Sequence, residues 1–189
     1  MPTSQAGRAA IGRVFGYTCP DGSAAIDPRA IFCRLMSRRP IPTWFFAVVV
    51  VRRGERFLLV HERKHGQRWY FPAGRAEPGE DLYTAARRET MEEAGIDIAL
   101  DGVYRVEHSV TADSARVRVL FSARPIDDTP PKSEPDGESL EAGWFRLDEL
   151  RSLPLRGAEV EHVLRAVAAG APVYPLSVLV REGTPLAVT

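Results

Sequence analysis

The chain has 189 residues, which is enough for one domain with extensions and a substantial apolar core. Its 25 basic and 25 acidic residues balance, so the net charge gives no sign of capture by nucleic acid or by a membrane surface. Residues 1–12 contain no apolar signal core, and the longest apolar run is far too short to span a bilayer as a helix. We therefore predict a cytoplasmic protein without nucleic-acid or membrane partners.

Glycine and proline interrupt the N-terminal part of the chain throughout, so it predicts little regular structure. Residues 31–36 fit either a short strand or a helical turn. Cys19 and Cys33 match no metal-binding spacing, and free thiols in a reducing compartment fit better than a disulfide. The predicted division is an extension over 1–42 that packs on the core or forms a homodimer contact, a main domain over 43–170, and a tail over 171–189.

The main domain begins with a predicted β-hairpin. Residues 44–51 form a continuous β-branched and aromatic run, which is typical of a strand buried on both faces. Gly54 marks the turn, and residues 57–60 form the return strand. A basic loop over 62–68 then leads through three aromatic residues and Pro72 into the next element.

A loop and a helix are predicted over residues 74–96. Turn-forming glycines and a proline precede Glu80, whose negative charge suits a helix N-terminus. Residues 82–94 contain no glycine or proline and predict the helix itself. Gly95 is expected to end it in a left-handed conformation.

Three glutamates of this helix, Glu89, Glu92 and Glu93, stand at i, i+3 and i+4 and therefore fall on one side of it. Like charges at this spacing destabilise a helix by about 0.2–0.5 kcal/mol per pair, and a divalent cation would reverse that cost. A solvated face of mixed charge is the ordinary explanation of such a run. The three glutamates also stand in register with the loop glycines, Glu80 and Gly95, and this combination favours a cation site instead.

Strands and a second helix complete the prediction. Three further strands are expected, at 98–110 with a break near Asp101, at 115–123 as a half-exposed strand, and at 141–147. A polar and mobile loop is expected over 125–137. Apolar residues at helical spacing predict a helix over 158–169, and residues 177–180 fit one additional strand.

The segment 74–96 resembles the sequence box of the Nudix hydrolase family. The matching residues, at the spacing of that box, are Gly74, Glu80, Arg88, Glu89, Glu92, Glu93, Gly95 and Ile96. Thr90 departs mildly, because the family more often has an aliphatic residue there, and this difference concerns helix packing. The resemblance implies an α/β (α+β) fold with a mixed β-sheet between helices, and an enzyme that hydrolyses a nucleoside diphosphate linked to another group.

The resemblance also implies roles for individual residues. The expected ligands of Mg²⁺ (or Mn²⁺) are the carboxylates of Glu89, Glu92 and Glu93, often joined by the carbonyl oxygen of Gly74. Such a cation would align a water for attack on phosphorus. Glu80 and Arg88 would brace the junction between loop and helix, and Gly95 would end the helix.

The attacking water needs a proton acceptor. Glu92 and Glu93 are candidates within the box. In many members of the family an acid on a later loop has this role, and here Glu138 and Glu141 flank that position. We favour Glu138 because it ends the polar loop, although a solvated surface acid explains the sequence equally well.

Candidate substrate-binding residues lie outside the box. Arg63 and Arg68 belong to the basic loop and have the charge to bind phosphates, although a solubilising surface loop is at least as common. Trp69 is a candidate for stacking on a base, although a core aromatic is the more frequent case. Arg156, just before the second predicted helix, is a candidate for hydrogen bonds to a base edge.

The substrate is predicted from a looser likeness. Residues 69–80, 121–125, 138–140 and 153–156 are similar to an animal Nudix branch that cleaves 8-oxoguanine nucleoside diphosphates. We predict hydrolysis of the pyrophosphate bond of a small nucleoside diphosphate derivative, with an oxidised nucleotide as one candidate. ADP-ribose, nucleotide sugars and dinucleotides are alternatives for an enzyme, and a non-catalytic nucleotide sensor is the alternative from another class. The intact carboxylates favour an enzyme.

Overall fold

A computed structural model describes residues 40–186 of the protein, which form a mixed sheet with one helix on each face. The strands are β1 (Thr43–Arg53), β2 (Arg56–Glu62), β3 (Trp69–Tyr70), β4 (Ala73–Arg75), β5 (Ile98–Val110), β6 (Ala115–Pro125) and β7 (Ser139–Phe145). The helices are α1 (Leu82–Ala94) and α2 (Ala158–Ala168), with 3-10 turns at Glu149–Ser152 and Leu176–Val178. The predicted fold class, a mixed sheet between helices, is confirmed.

Strand β1 shows why the first apolar run is continuous. Ala47, Val49 and Val51 pack in the cluster that contains α1, whereas Val48 and Val50 pack in the cluster that contains α2. Each of these side chains is at most 2% exposed. Because successive side chains of a strand point to opposite faces, both faces must be apolar here. The prediction of a strand buried on both faces is confirmed.

Strand β1 also determines the topology. It pairs in parallel with β6 and in antiparallel with β4, so these two strands lie on its two sides. Its end forms a hairpin with β2 through a turn at Gly54, whose φ is 61°. Strand β2 pairs in turn with β3 and β7, and β6 pairs with β5.

Helix α1 begins and ends as predicted. The side chain of Asp81 accepts a hydrogen bond from the amide of Thr84 at 2.9 Å, and Gly95 has a left-handed φ of 68°. Its buried residues are all small or short, namely Ala85, Ala86, Thr90 and Ala94. Short side chains let a helix lie close to the surface on which it packs.

Strands β5 and β6 differ from the prediction in detail. The break expected near Asp101 is a β-bulge inside a continuous strand, because the pairing register shifts between Leu100 and Gly102. Strand β6 is central and not half exposed, since Val119 and Phe121 are fully buried between its two neighbours.

The predicted strand at 177–180 is wrong. A 3-10 turn occupies Leu176–Val178, and the tail adds only a single bridge, between Tyr174 and Val103, to the described sheet. The burial pattern gives the reason, since this segment presents no alternating face that a strand could bury.

The loop over 125–137 is attached to the sheet and to α1 through the backbone of Lys132. The amide of Lys132 donates to the carbonyl of Ala94 at 2.8 Å, and its carbonyl accepts from the amide of Ala142 at 2.7 Å. The loop is thereby held between the end of α1 and β7. Neither helix among residues 40–186 is long and apolar enough to cross a membrane. The predictions for residues 31–36 and for both cysteines lie outside the described residues.

Candidate active site

A cavity of about 470 Å³ lies where β1, β4 and β6 approach the basic loop. Its acidic lining residues are Glu62, Glu89, Glu93 and Glu138, and its basic and aromatic ones are Arg63, Lys64, His65, Arg116, Arg118, Arg156, Phe46 and Tyr70. Another cavity, of about 270 Å³, lies beside α2, is lined mainly by apolar side chains and contains no residue of the box. The chemistry of the lining therefore identifies the first cavity as the candidate active site.

Arg88 joins the box loop to α1. Its guanidinium donates to both carboxylate oxygens of Glu80 at 2.9 Å and to the carbonyl of Arg75 at 3.1 Å. Glu80 also accepts from the amide of Glu77 at 3.0 Å. The hydrogen bonds from Arg88 are the main reason why the pKa of Glu80 is lowered. This bidentate pair fixes the loop in one orientation relative to the helix.

The same arginine contacts two of the three helix glutamates. It donates to Glu89 at 2.8 Å and to Glu92 at 2.9 Å. The side chain of Glu89 is 14% exposed and lines the cavity, whereas that of Glu92 is 44% exposed and lies outside the lining. The two carboxylates therefore have different surroundings although they share one donor.

Glu93 is the most buried of the three. Its Oε2 accepts a hydrogen bond from the amide of Ala73 at 2.9 Å. Burial raises the pKa of Glu93 to about 8, and the negative charges of Glu89, Glu62 and Glu138 add to the increase against the effect of the Ala73 amide. A second acidic charge in this space is therefore unfavourable without a cation.

Gly74 leaves the space that Glu89 occupies. A Cβ atom at this position would lie 1.9 Å from the Cδ atom of the Glu89 carboxyl group. Any larger residue would displace the carboxylate from the cavity wall. Burial also raises the pKa of Glu89, with Arg88 acting in the opposite direction.

Glu62, at the end of β2, places a fourth carboxylate in the cavity. Its Oε1 accepts from Arg156 at 2.7 Å and lies 3.1 Å from Nδ1 of His65. Its Oε2 is buried and has no hydrogen-bond partner among the described residues. A buried carboxylate oxygen without a partner is costly.

Tyr70 and Arg118 form another wall of the cavity and are held from behind by hydrogen bonds to two glutamates. The Tyr70 hydroxyl donates to Glu159 at 2.7 Å, and Arg118 donates to Glu159 at 3.1 Å and to Glu107 at 2.6 Å. Burial and the bond to Glu159 raise the pKa of Tyr70, so the phenol stays protonated. The guanidinium of Arg156 lies 4.6 Å from the centre of the Tyr70 ring. Arg118 and Arg156 are therefore held in place by carboxylates and by Tyr70.

Arg116 and Phe46 form the outer part of the lining. The Arg116 guanidinium lies 4.6 Å from the centre of the Phe46 ring. Among residues 40–186, Arg116 forms no ion pair with a carboxylate. Its charge is therefore available within this part of the chain.

The predicted binding residues divide into two groups. Arg63 lines the cavity and donates to the carbonyl of Asp136 at 2.5 Å, and Glu138 also lines it. Arg68 is exposed and does not contribute to the lining. Trp69 is 7% exposed and packs against His61 and Phe145, at centroid distances of 4.9 and 4.8 Å. Trp69 is thus a core aromatic in this structure.

Sequence reasoning missed Glu62, Arg116 and Arg118. The alternation of arginine and valine after Ala115 predicts two arginines on one face of a strand. Nothing local indicates that this strand pairs in parallel with β1, where Phe46 lies opposite Arg118. Glu62 is a single acidic residue at the start of a basic loop, and no periodic pattern distinguishes it from a surface residue.

The donor set suits a hard divalent cation, since carboxylate oxygens and a backbone carbonyl are available. Within residues 40–186, no group of three or more His, Cys, Asp or Glu side chains is already arranged to hold a metal ion. Arg88 holds Glu89 and Glu92, and the Ala73 amide holds Glu93. The unpartnered Oε2 of Glu62 fits an additional positive charge.

Comparison with known proteins defines the class of protein. The model of the NUDIX domain matches residues 43–166, which is most of the chain. The NUDIX hydrolase from Nitrosomonas europaea has the same fold, with a TM-score of 0.62 and 28% sequence identity over 75% of this chain and 99% of that one. The chain therefore belongs to the Nudix hydrolase family.

Two groups of curated relatives are similar to part of the chain. The 8-oxo-dGDP phosphatase NUDT18 of Homo sapiens is 37% identical over 123 residues, which are 64% of this chain and 37% of that protein. The NAD-capped RNA hydrolase NudC of Chromobacterium violaceum is 32% identical over 109 residues, which are 57% of this chain and 40% of that protein. The chain spans about two fifths or less of the length of these relatives.

Proposed function

We propose that this Nudix hydrolase cleaves the diphosphate bond of a nucleoside diphosphate derivative with Mg²⁺ (or Mn²⁺), and that an 8-oxoguanine nucleoside diphosphate is the first substrate to test. One observation carries the proposal. The same cavity contains carboxylates that suit a hard cation and arginines that suit phosphate. A diphosphate bound to a divalent cation needs both kinds of group.

The carboxylates of α1 are the proposed cation ligands. Glu89 and Glu93 line the cavity, Glu92 lies outside its lining, and Gly74 adjoins the Glu89 carboxyl group. When bound, the cation would act as a Lewis acid that neutralises diphosphate charge and lowers the pKa of a water. Glu93 has to lose its proton before it can bind, because its pKa is raised to about 8.

Glu138 is the proposed acceptor of the water proton. It lines the cavity from the end of the 125–137 loop, and its carboxylate accepts no hydrogen bond from the described residues. It is exposed, so its side chain has room to move towards a substrate. Glu93 is the alternative acceptor if it is not needed as a ligand.

The phosphates would meet cationic groups that have no carboxylate partner within residues 40–186. Arg63, Lys64 and Arg116 meet that condition and line the cavity. Arg118 and Arg156 are already paired with carboxylates, and their role is to orient the lining. Arg68 and Trp69 have no part in this proposal, because neither lines the cavity.

The base would lie against Phe46, with Tyr70 on the neighbouring wall. Aromatic rings are suited to the face of a nucleobase. The similarity to 8-oxo-dGDP phosphatases supports an oxidised guanine. The similarity to NAD-capped RNA hydrolases makes a dinucleotide the second candidate.

The test is release of orthophosphate and pyrophosphate across a panel of substrates with Mg²⁺. The panel contains normal and 8-oxo nucleoside di- and triphosphates, ADP-ribose, nucleotide sugars and dinucleotides. Glu93→Gln tests the proposed ligand. The matched control is Glu161→Gln, because Glu161 pairs with Arg165 on α2 outside the cavity. We expect one preferred substrate whose turnover is lost in Glu93→Gln and kept in Glu161→Gln. Binding without turnover of any substrate would instead support a nucleotide sensor.

A further inference from the structure

Glu62 is a carboxylate that the box does not account for. It stands at the end of β2, twelve positions before Gly74 in the chain. One of its oxygens is used, because Oε1 accepts from Arg156 at 2.7 Å and lies 3.1 Å from His65 Nδ1. The other oxygen, Oε2, is buried and has no partner among the described residues. Such an oxygen indicates a missing positive or donor group.

The surroundings of Glu62 indicate which kind of group its Oε2 atom would bind. Glu62 shares the cavity with Glu89, Glu93 and Glu138. A water would satisfy the hydrogen-bonding capacity of Oε2 but would leave this concentration of negative charge uncompensated. A divalent cation would satisfy both needs at once.

We propose that Glu62 is a ligand of the divalent cation, supplied by β2 from outside the box. This inference rests on the proposed function, which requires such a cation. Oε2 would bind the cation while Oε1 keeps Arg156, so that one carboxylate connects the cation to the guanidinium above Tyr70. Glu62 therefore couples cation binding to the wall of the cavity that contains Tyr70.

The test is binding of Mn²⁺ to the full chain, followed by electron paramagnetic resonance of the free ion, without any substrate. Glu62→Gln keeps the size and an oxygen acceptor for Arg156 but removes the negative charge. The matched control is Glu55→Gln, because Glu55 precedes β2, pairs with Arg146 at 2.6 Å and lies outside the cavity. We expect Glu62→Gln to weaken Mn²⁺ binding by about tenfold or more and Glu55→Gln to leave it unchanged.

A second measurement separates a ligand from a supporting residue. Loss of a protein ligand lets an additional water bind the ion, so water-proton relaxation by bound Mn²⁺ should increase in Glu62→Gln. Arg156→Gln removes a competing positive charge and should tighten Mn²⁺ binding severalfold, and it serves as the test if Glu62→Gln does not fold.

The outcomes distinguish this inference from the proposed function. If the wild type binds Mn²⁺ and Glu62→Gln binds it equally well, Glu62 is not a ligand and the cation site stands without it. If Arg156→Gln weakens Mn²⁺ binding, Glu62 and Arg156 act as one structural unit and the inference is wrong. If the wild type itself binds no Mn²⁺, the proposed cation dependence fails together with the inference.

Discussion

Helices α1 and α2 pack on opposite faces of the same sheet and have different roles. The buried residues of α1 are three alanines and Thr90, whereas those of α2 are Val160, Leu164 and Val167. Helix α2 is an ordinary amphipathic helix that fills one half of the core. Helix α1 buries little side-chain volume and instead brings its glutamates to the edge of the sheet.

The difference shows how small side chains contribute to a functional site. Because α1 lies close to the sheet, Glu93 reaches the amide of Ala73 and Glu89 fills the space beside Gly74. A helix with larger buried residues would hold its carboxylates further from these backbone groups. Changes on α1 should therefore affect catalysis before stability, and changes on α2 should do the opposite.

The largest effect is expected from Glu93→Gln. It removes a proposed cation ligand at nearly constant volume, so turnover of the preferred substrate should fall by about 100-fold or more. The metal-free variant should be no less stable than the wild type at neutral pH, because the wild type has to protonate Glu93 on folding there and the glutamine variant does not. Steady-state kinetics and urea denaturation measure the two quantities. A large loss of stability with unchanged turnover would reverse the role assigned to α1.

The counterpart on α2 is Leu164→Ala. Leu164 is fully buried, so its truncation should lower the free energy of unfolding by about 2–5 kcal/mol. Turnover of the protein that remains folded should change by less than about threefold, because Leu164 does not line the cavity. His162→Ala, at an exposed position of the same helix, is the control and should change neither quantity. Equal damage to kcat in both variants would contradict the division of roles.

Gly74→Ala should have an intermediate effect. Its methyl group would displace the Glu89 carboxylate, which is the flexible end of a side chain, so the fold should persist. Cation affinity and turnover should fall by about 10–100-fold. Gly137→Ala is the matched control, since a Cβ there meets no atom within 4 Å. Calorimetric titration with Mn²⁺ gives the affinity, and wild-type affinity in Gly74→Ala would show that Glu89 does not need this space.

The smallest effect, measured per pH unit, is expected in the pH dependence of the free energy of unfolding. The folded-state pKa of Glu93 is about 8 against 4.5 for the unfolded chain, so the folded protein binds more protons between these values. The contribution of the protonated Glu93 to the free energy of unfolding is thus fully present below pH 4.5 and is lost as the pH rises through about 8. The slope in the metal-free protein is at most about 1.4 kcal/mol per pH unit. Denaturation at several pH values should show this slope in the wild type and not in Glu93→Gln. Parallel pH profiles for the two proteins would disprove the shift.

Local signals were sufficient for much of the fold. The apolar run of β1, the turn at Gly54 and the end of α1 at Gly95 each depend on a few neighbouring residues, and the structure contains them as predicted. The prediction of a strand in the tail was wrong, because the weak apolar content at 177–180 does not distinguish a strand from a 3-10 turn.

The cavity was less predictable, because its walls come from distant parts of the chain. Glu62 and Arg156 are 94 positions apart, and Tyr70 and Glu159 are 89 apart. Arg118 reaches the same place only through the parallel pairing of β6 with β1. No periodicity encodes these contacts, so the sequence indicated the carboxylates of α1 together with Arg63, Glu138 and Arg156, but not Glu62, Arg116 or Arg118.

The most direct test of this account is a magnesium titration of product release from the preferred substrate, with the wild type and Glu93→Gln side by side. We predict that the wild type is inactive in excess chelator and recovers fully with added Mg²⁺, while Glu93→Gln stays at least about 100-fold below it at saturation. Full turnover by the wild type in chelator, or by Glu93→Gln in Mg²⁺, would contradict the assignment of metal-dependent hydrolysis to the carboxylates of α1.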